Sequence, residues 1–137
     1  MKIVYDEKLM KYITLFENVI RVNVKDMFIK ENSIYCIIEK SDLRKAIGPN
    51  GIKIKKLENL VKKKVKIIPY SDKVEEFVKD LLYGFDVEKI ENKDGIVNIY
   101  CKDTKTKGLL IGRERRNLSN FEGIIKRFFP IQDLKVI

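Results

Sequence analysis

The feature that most constrains this chain is a glycine turn between two helix-like segments that occurs twice. Ile47-Gly48-Pro49-Asn50-Gly51 follows a short apolar face made by Leu43, Ala46 and Ile47, and precedes a second face made by Ile54, Leu57, Leu60 and Val61. Sixty-four residues later, Ile111-Gly112-Arg113-Glu114-Arg115 precedes Leu118, Phe121, Ile124, Ile125 and Phe128. At that spacing Gly48 aligns with Gly112, Leu57 with Phe121 and Leu60 with Ile124. One such turn restricts little, because glycine turns join helices in many folds. Its repetition within 137 residues predicts two copies of one small unit.

The surrounding pattern extends the repeat. Leu9, Ile13, Phe16 and Ile20 recur at helical spacing over residues 6–20, with Asp6 and Glu7 suited to the first turn. Val22 to Ile29 reads as a strand, Glu31-Asn32-Ser33 as a turn, and Ile34 to Ile38 as a strand buried on at least one face. Ser41 offers an N-cap for the short helix before the first glycine turn. Lys64 to Tyr70 then reads as a strand. In the second half, Ser71 and Asp72 start a helix with Val74, Phe77, Val78, Leu81 and Leu82 on one stripe, stopped at Gly84. Asp86 to Ile90 and Ile96 to Cys101 are strands about an Asp94-Gly95 hairpin. Helices over 104–111 and after the second turn follow. Pro130 ends the last helix, and Leu134 to Ile137 is the final strand.

Each half is therefore α-β-β-α-α-β, an α+β class with predicted domains 1–70 and 71–137. Pro69-Tyr70-Ser71 joins them without a Gly/Ser-rich linker, which predicts a stiff connection. The triplets Ile34-Tyr35-Cys36 and Ile99-Tyr100-Cys101 align at a spacing of 65, so Cys36 and Cys101 are expected at equivalent core positions and not in a disulfide.

Charge narrows the function. Residues 1–70 hold 16 Lys/Arg against 8 Asp/Glu, whereas residues 71–137 hold 13 against 12. Between 44 and 66 there are nine cations and one carboxylate, Glu58. A stripe of that density suits a polyanion. The chain has no His, which removes the commonest proton-transfer residue, and its two isolated Cys make no metal cluster. The Gly48–Lys53 segment lacks the spacing of a nucleotide phosphate loop, with Ile54 where Ser or Thr is needed. No enzyme, cofactor, metal site or small-molecule substrate is expected. No signal peptide and no long apolar run is present, so no membrane contact and a cytoplasmic location are expected.

The turns themselves suggest how a polyanion would be held. Gly48 and Gly51 lack Cβ atoms, so a sugar-phosphate backbone has room to approach. The following helix presents its N-terminus there. Arg44 and Lys45 precede the turn; Lys53 and Lys55 follow it within reach of phosphates. Leu43, Ile47 and Ile54 are expected to wall a groove that accepts flat bases. Pro49 removes one backbone donor and leaves Asn50 and the amides after it. In the second copy the candidates are Gly112, Arg113, Arg115 and Arg116, with Glu114 opposing them. Arg115 replaces the second glycine, where it would either crowd the phosphate path or neutralise a phosphate directly.

The segments Ala46-Ile47-Gly48-Pro49-Asn50-Gly51-Ile52-Lys53 and Leu110-Ile111-Gly112-Arg113-Glu114-Arg115-Arg116-Asn117, in this element order, resemble tandem type II KH domains. The nearer resemblance is to the NusA-like transcription factors of archaea, short chains of two KH domains. It implies, in each half, a three-stranded mixed sheet covered by helices on one face. It also implies binding of single-stranded RNA, with RNA polymerase or the transcription complex as partner, in elongation, pausing, termination or antitermination. The alternative it leaves is KH-type RNA binding in ribosome or ribonucleoprotein assembly.

Overall fold

The computed structural model describes residues 6–137; the first five residues of the predicted 1–70 domain lie outside the described residues. Contacts divide these residues into two compact units, one ending at Ser71 and one spanning Asp72–Ile137.

The first unit begins with α1 (Glu7–Ile20). The Asp6 carboxylate starts it by accepting from the Leu9 N–H at 2.8 Å, which satisfies one of the free amides of the first turn. Arg21, left-handed at φ 62°, ends it by donating its N–H to the Glu17 carbonyl at 3.0 Å. Strands β1 (Asp26–Lys30) and β2 (Ser33–Glu39) form an antiparallel hairpin. A 3-10 turn over Lys40–Asp42 leads into α2 (Leu43–Ile47). Ser41 therefore lies inside this turn, and Asp42 precedes α2 without a side-chain cap. After the glycine turn, α3 (Ile52–Val61) leads to β3 (Lys64–Tyr70), which pairs parallel with β2. Pro69 is tolerated because β3 is an edge strand.

The core of this unit follows from the two periods. Ile34, Cys36 and Ile38 of β2 face Phe16 and Ile20 of α1, Ala46 of α2 and Leu57 and Val61 of α3, in one buried cluster. Tyr35 and Ile37 point the other way and are buried as well, beside their cross-strand partners Phe28 and Ile68. Both faces of β2 are thus buried, and the α1, α2 and α3 residues of the core cluster lie on the Ile34, Cys36 and Ile38 face. Leu60 also departs from expectation and is 54% exposed. Ile54 and Val61 flank Leu57 on one side of α3, whereas Leu60 projects roughly 60° to the other.

The second unit repeats the order: α4 (Val74–Leu81), β4 (Val87–Lys93), β5 (Ile96–Cys101), α5 (Thr104–Ile111), a 3-10 turn over Arg113–Arg115, α6 (Arg116–Lys126) and β6 (Asp133–Val136). Again β5 is central, antiparallel to β4 and parallel to β6. The predicted stripe Val74, Phe77, Val78, Leu81 and Leu82 is buried. Phe77 lies against Phe128 and Phe129, with ring centroids 5.4 and 5.5 Å away, and Phe121 meets Phe85 edge-on at 6.1 Å.

Strand register corrects the expected alignment of the cysteines. Both hairpins turn on two residues, after Lys30↔Ser33 and Lys93↔Ile96, and both parallel pairs start at the equivalent point, Ser33↔Lys64 and Ile96↔Asp133. Ser33 and Ile96 therefore correspond, 63 residues apart, and the partner of Cys36 is Ile99 while that of Cys101 is Ile38. The repeated Ile-Tyr-Cys triplet is out of register by two residues. The shift preserves which face each residue occupies, because the strand period is two. Cys36 is sealed in the core, and Cys101, at the end of its strand, is half-buried.

Candidate nucleic-acid interface

The two turns share one backbone conformation. Gly48 and Gly112 have φ/ψ of 74/174° and 73/174°. Asn50 and Glu114 have 55/26° and 55/32°, and Gly51 and Arg115 have 68/23° and 60/20°. Each first glycine ends the preceding helix, its N–H donating to the carbonyl of Arg44 at 3.0 Å or of Gly108 at 2.9 Å. Each fourth residue closes the turn onto the first glycine's carbonyl, Gly51 at 3.3 Å and Arg115 at 3.2 Å. Ile52 and Arg116 then donate to the carbonyls of Pro49 and Arg113.

The four positions of the motif are not alike. The first lies at positive φ with extended ψ, a region essentially reserved for glycine. The fourth is left-handed, which other residues adopt at a cost of about 1–2 kcal/mol. Arg115 is accommodated for that reason, and its presence leaves the turn's path unchanged. The space around the two positions also differs. A Cβ on Gly48 would meet Lys53 Cγ at 3.1 Å and Ile52 Cγ2 at 3.3 Å, whereas a Cβ on Gly51 would meet nothing within 4 Å. The open ledge is therefore at Gly51, and the expectation of close approach at Gly48 is corrected: the stem of Lys53 fills that side.

Lys53 departs furthest from expectation. Its ammonium donates to the Lys45 carbonyl at 2.7 Å and to the Ile20 carbonyl at 3.3 Å. These are carbonyls of the last turns of α2 and α1, whose partners within the helix are missing. Lys53 is thus bound to the protein and not extended toward a phosphate. In the second unit the equivalent Asn117 donates from Nδ2 to the Leu109 carbonyl at 2.9 Å. Lys45 and Leu109 are likewise 64 residues apart. No charge rule reveals this bond; the 64-residue spacing of Lys53 and Asn117 was the available signal.

The remaining candidate cations are exposed. Arg44, Lys45, Lys55 and Lys56 are exposed around the first turn, and Pro49 and Asn50 are exposed on it. Arg113, Arg115 and Arg116 are exposed on the second, with Glu114 among them. The apolar walls are partly sunk in the fold: Leu43 and Ile54 pack on the core of the first unit, and Ile47 is half-buried. Ile52, not among the predicted residues, is 60% exposed at the start of α3 beside the Gly51 ledge. Tyr35 is buried with the Lys66 ammonium 5.2 Å from its ring centre, so it offers no stacking platform. Among the described residues no group of His, Cys, Asp and Glu is placed to hold a metal ion, and no helix is long and apolar enough to cross a membrane.

Two α+β units, each with a central mixed strand and the same glycine-headed turn between two helices, are consistent with a two-domain KH-like fold. The crystal structure of APE1850 superposes with a TM-score of 0.65 at 23% identity, covering 93% of this chain and 96% of that one. No protein-family model matches the chain. In sequence it is 28% identical to the probable transcription termination protein NusA of Methanocaldococcus jannaschii, over 96% of this chain and 73% of that protein. Proteins of the same name from Halococcus morrhuae and Methanococcus vannielii are 22% and 24% identical, over 99% and 91% of this chain and 99% and 74% of their own lengths. Over nearly its whole length the chain is thus similar to archaeal proteins that carry the NusA name.

Proposed function

We propose that this protein binds single-stranded RNA at the Gly48–Gly51 turn and acts with the transcription machinery in elongation, pausing, termination or antitermination. In this reading each unit is a type II KH domain, residues 1–70 and 71–137, and RNA polymerase or its complex is the partner. The relatives' shared name, transcription termination protein, supports the role.

One observation carries the binding mode. The ledge at Gly51 is open on its Cβ side, and Arg44, Lys45, Lys55 and Lys56 surround it with exposed positive charge, in the half of the chain that holds 16 of the 29 cations. A Cβ at Gly51 would have no neighbour within 4 Å, so the main chain there is open to approach by a phosphodiester. The exposed Ile52, with half-buried Ile47 and Ile54, supplies apolar surface for bases, and a KH unit holds about four nucleotides. Lys53 contributes by shaping the turn. At the second turn Gly112 sets the path, and Arg113, Arg115 and Arg116 meet phosphates through their guanidinium forks without a close-approach ledge.

The test is affinity for a single-stranded RNA, a matched single-stranded DNA and a duplex, each over a salt series from about 50 to 200 mM. Single-stranded RNA is expected to bind best, and more weakly as salt rises. Combining Arg44→Glu with Lys55→Glu should remove most of the binding and flatten the log–log salt slope by roughly 1.4, about 0.7 for each lost phosphate contact. Unchanged RNA affinity in that double variant would place the interface elsewhere.

A further inference from the structure

We infer that Lys53 is a positioning residue: its ammonium ties the C-terminal ends of α1 and α2 to the glycine turn and so fixes the ledge at Gly51. The inference rests on the proposed RNA-binding role of that turn, although its structural half is testable without RNA.

The last carbonyls of α1 and α2 need donors that their own helices do not supply. Lys53, at the second position of α3, reaches both: Lys45 O at 2.7 Å and Ile20 O at 3.3 Å. Its stem lies against Gly48, with Cγ 3.1 Å from where a Cβ would stand. One side chain therefore holds α1, α2 and the first glycine together. A cation also complements the negative ends of both helices.

The second unit isolates the part of this device that the turn requires. There Asn117 makes only the equivalent bond, Nδ2 to Leu109 O at 2.9 Å, and the turn has the same dihedral angles. A neutral donor at this position suffices to set the turn. The link to α1 and the positive charge are additions of the first unit.

Three proteins test this: the wild type, Lys53→Asn and Lys53→Met. Asn at 53 keeps a donor for Lys45 O, as Asn117 demonstrates on the same backbone; Met keeps the apolar stem and loses the donor. Two readouts are taken, hydrogen exchange of the Gly51 amide and the salt dependence of binding to a single-stranded RNA oligonucleotide. Lys53→Met should speed Gly51 exchange by about tenfold or more, whereas Lys53→Asn should stay within about threefold of wild type. RNA affinity should follow the same order, with Met weakened about tenfold and both log–log salt slopes unchanged. Equal exchange in Asn and Met variants would overturn the positioning role. Equal loss of affinity in both, with a slope lower by about 0.7, would instead make Lys53 a direct phosphate ligand. If the wild type binds no RNA, the proposed function fails, while the exchange comparison still decides the positioning role.

Discussion

Asn117 lies across Gly112 so closely that a Cβ on that glycine would stand 2.8 Å from the asparagine's Cγ. The bond from Asn117 to the Leu109 carbonyl holds the side chain there, so it has little freedom to withdraw. Glycine at this position is therefore required twice over, by dihedral angle and by space. At Gly51 only the dihedral angle asks for it.

Alanine substitutions should separate these demands. Gly112→Ala combines a disallowed backbone region with a collision and should lower stability by about 3 kcal/mol. Gly51→Ala carries only the left-handed cost and should lose about 1 kcal/mol. The difference in urea midpoint between the two variants checks the ranking. Equal losses would mean that Asn117 moves aside freely.

The second turn holds Arg115 left-handed at φ 60°. Arg115→Gly relieves that strain, partly offset by the greater freedom of glycine in the unfolded chain, and should stabilise by about 0.5–1 kcal/mol. RNA affinity should fall in the same variant if the guanidinium meets a phosphate. Opposite movements of stability and affinity, read from urea melts and anisotropy titrations, would show that the arginine is kept for binding.

Burial pushes the Cys36 thiol up to about 12, with Glu17 adding to the shift. Cys101 is also raised, chiefly by desolvation and next by Asp103, but it is half-buried. A disulfide reagent at pH 8 should therefore modify Cys101 slowly in the native protein and Cys36 only on unfolding. A raised thiol stabilises the fold fully below its ordinary value near 9, and that contribution declines as pH rises toward about 12. Melting temperatures should fall over this alkaline range, and a Cys36→Ser variant should lack that part of the fall.

The Asp103 carboxylate accepts from the Thr106 N–H at 2.7 Å and begins α5. This backbone bond, with a further one from the Thr106 hydroxyl, holds its pKa below the usual 3.8. A depressed carboxylate contributes stability that is complete above its unfolded value and is lost as pH falls through the folded one. Protection of the Thr106 amide, taken relative to its intrinsic exchange rate, should fall below about pH 4. In Asp103→Asn, which keeps an acceptor but does not titrate, that fall in protection should vanish.

Much of the fold was legible because two periods alternate cleanly in this chain. The stripe Val74, Phe77, Val78, Leu81 allows only a helix, and Ile34, Cys36, Ile38 only a strand face. The bounds Thr104–Ile111 of α5 agree with the sequence reading. The register of the second sheet was not legible. Matching triplets pointed to a spacing of 65, whereas pairing is set by the two-residue hairpins at Glu31-Asn32 and Asp94-Gly95. At the site, exposure of Arg44, Lys45, Lys55 and the second-turn arginines follows from charge. The use of Lys53 does not, since a bond from a side chain to a carbonyl eight residues earlier leaves no compositional trace. Arg115 looked like a broken motif because a sequence pattern does not distinguish the first glycine's exclusive region from the fourth's shared one.

The most direct measurement is a titration of the isotope-labelled protein with a single-stranded RNA oligonucleotide, followed by amide chemical shifts. Saturable shifts should concentrate on residues 44–56, largest at Asn50, Gly51 and Ile52, with a weaker set at 112–116. Saturable shifts that spare residues 44–56, or none at RNA concentrations well above those of the protein, would contradict binding at the Gly48–Gly51 turn.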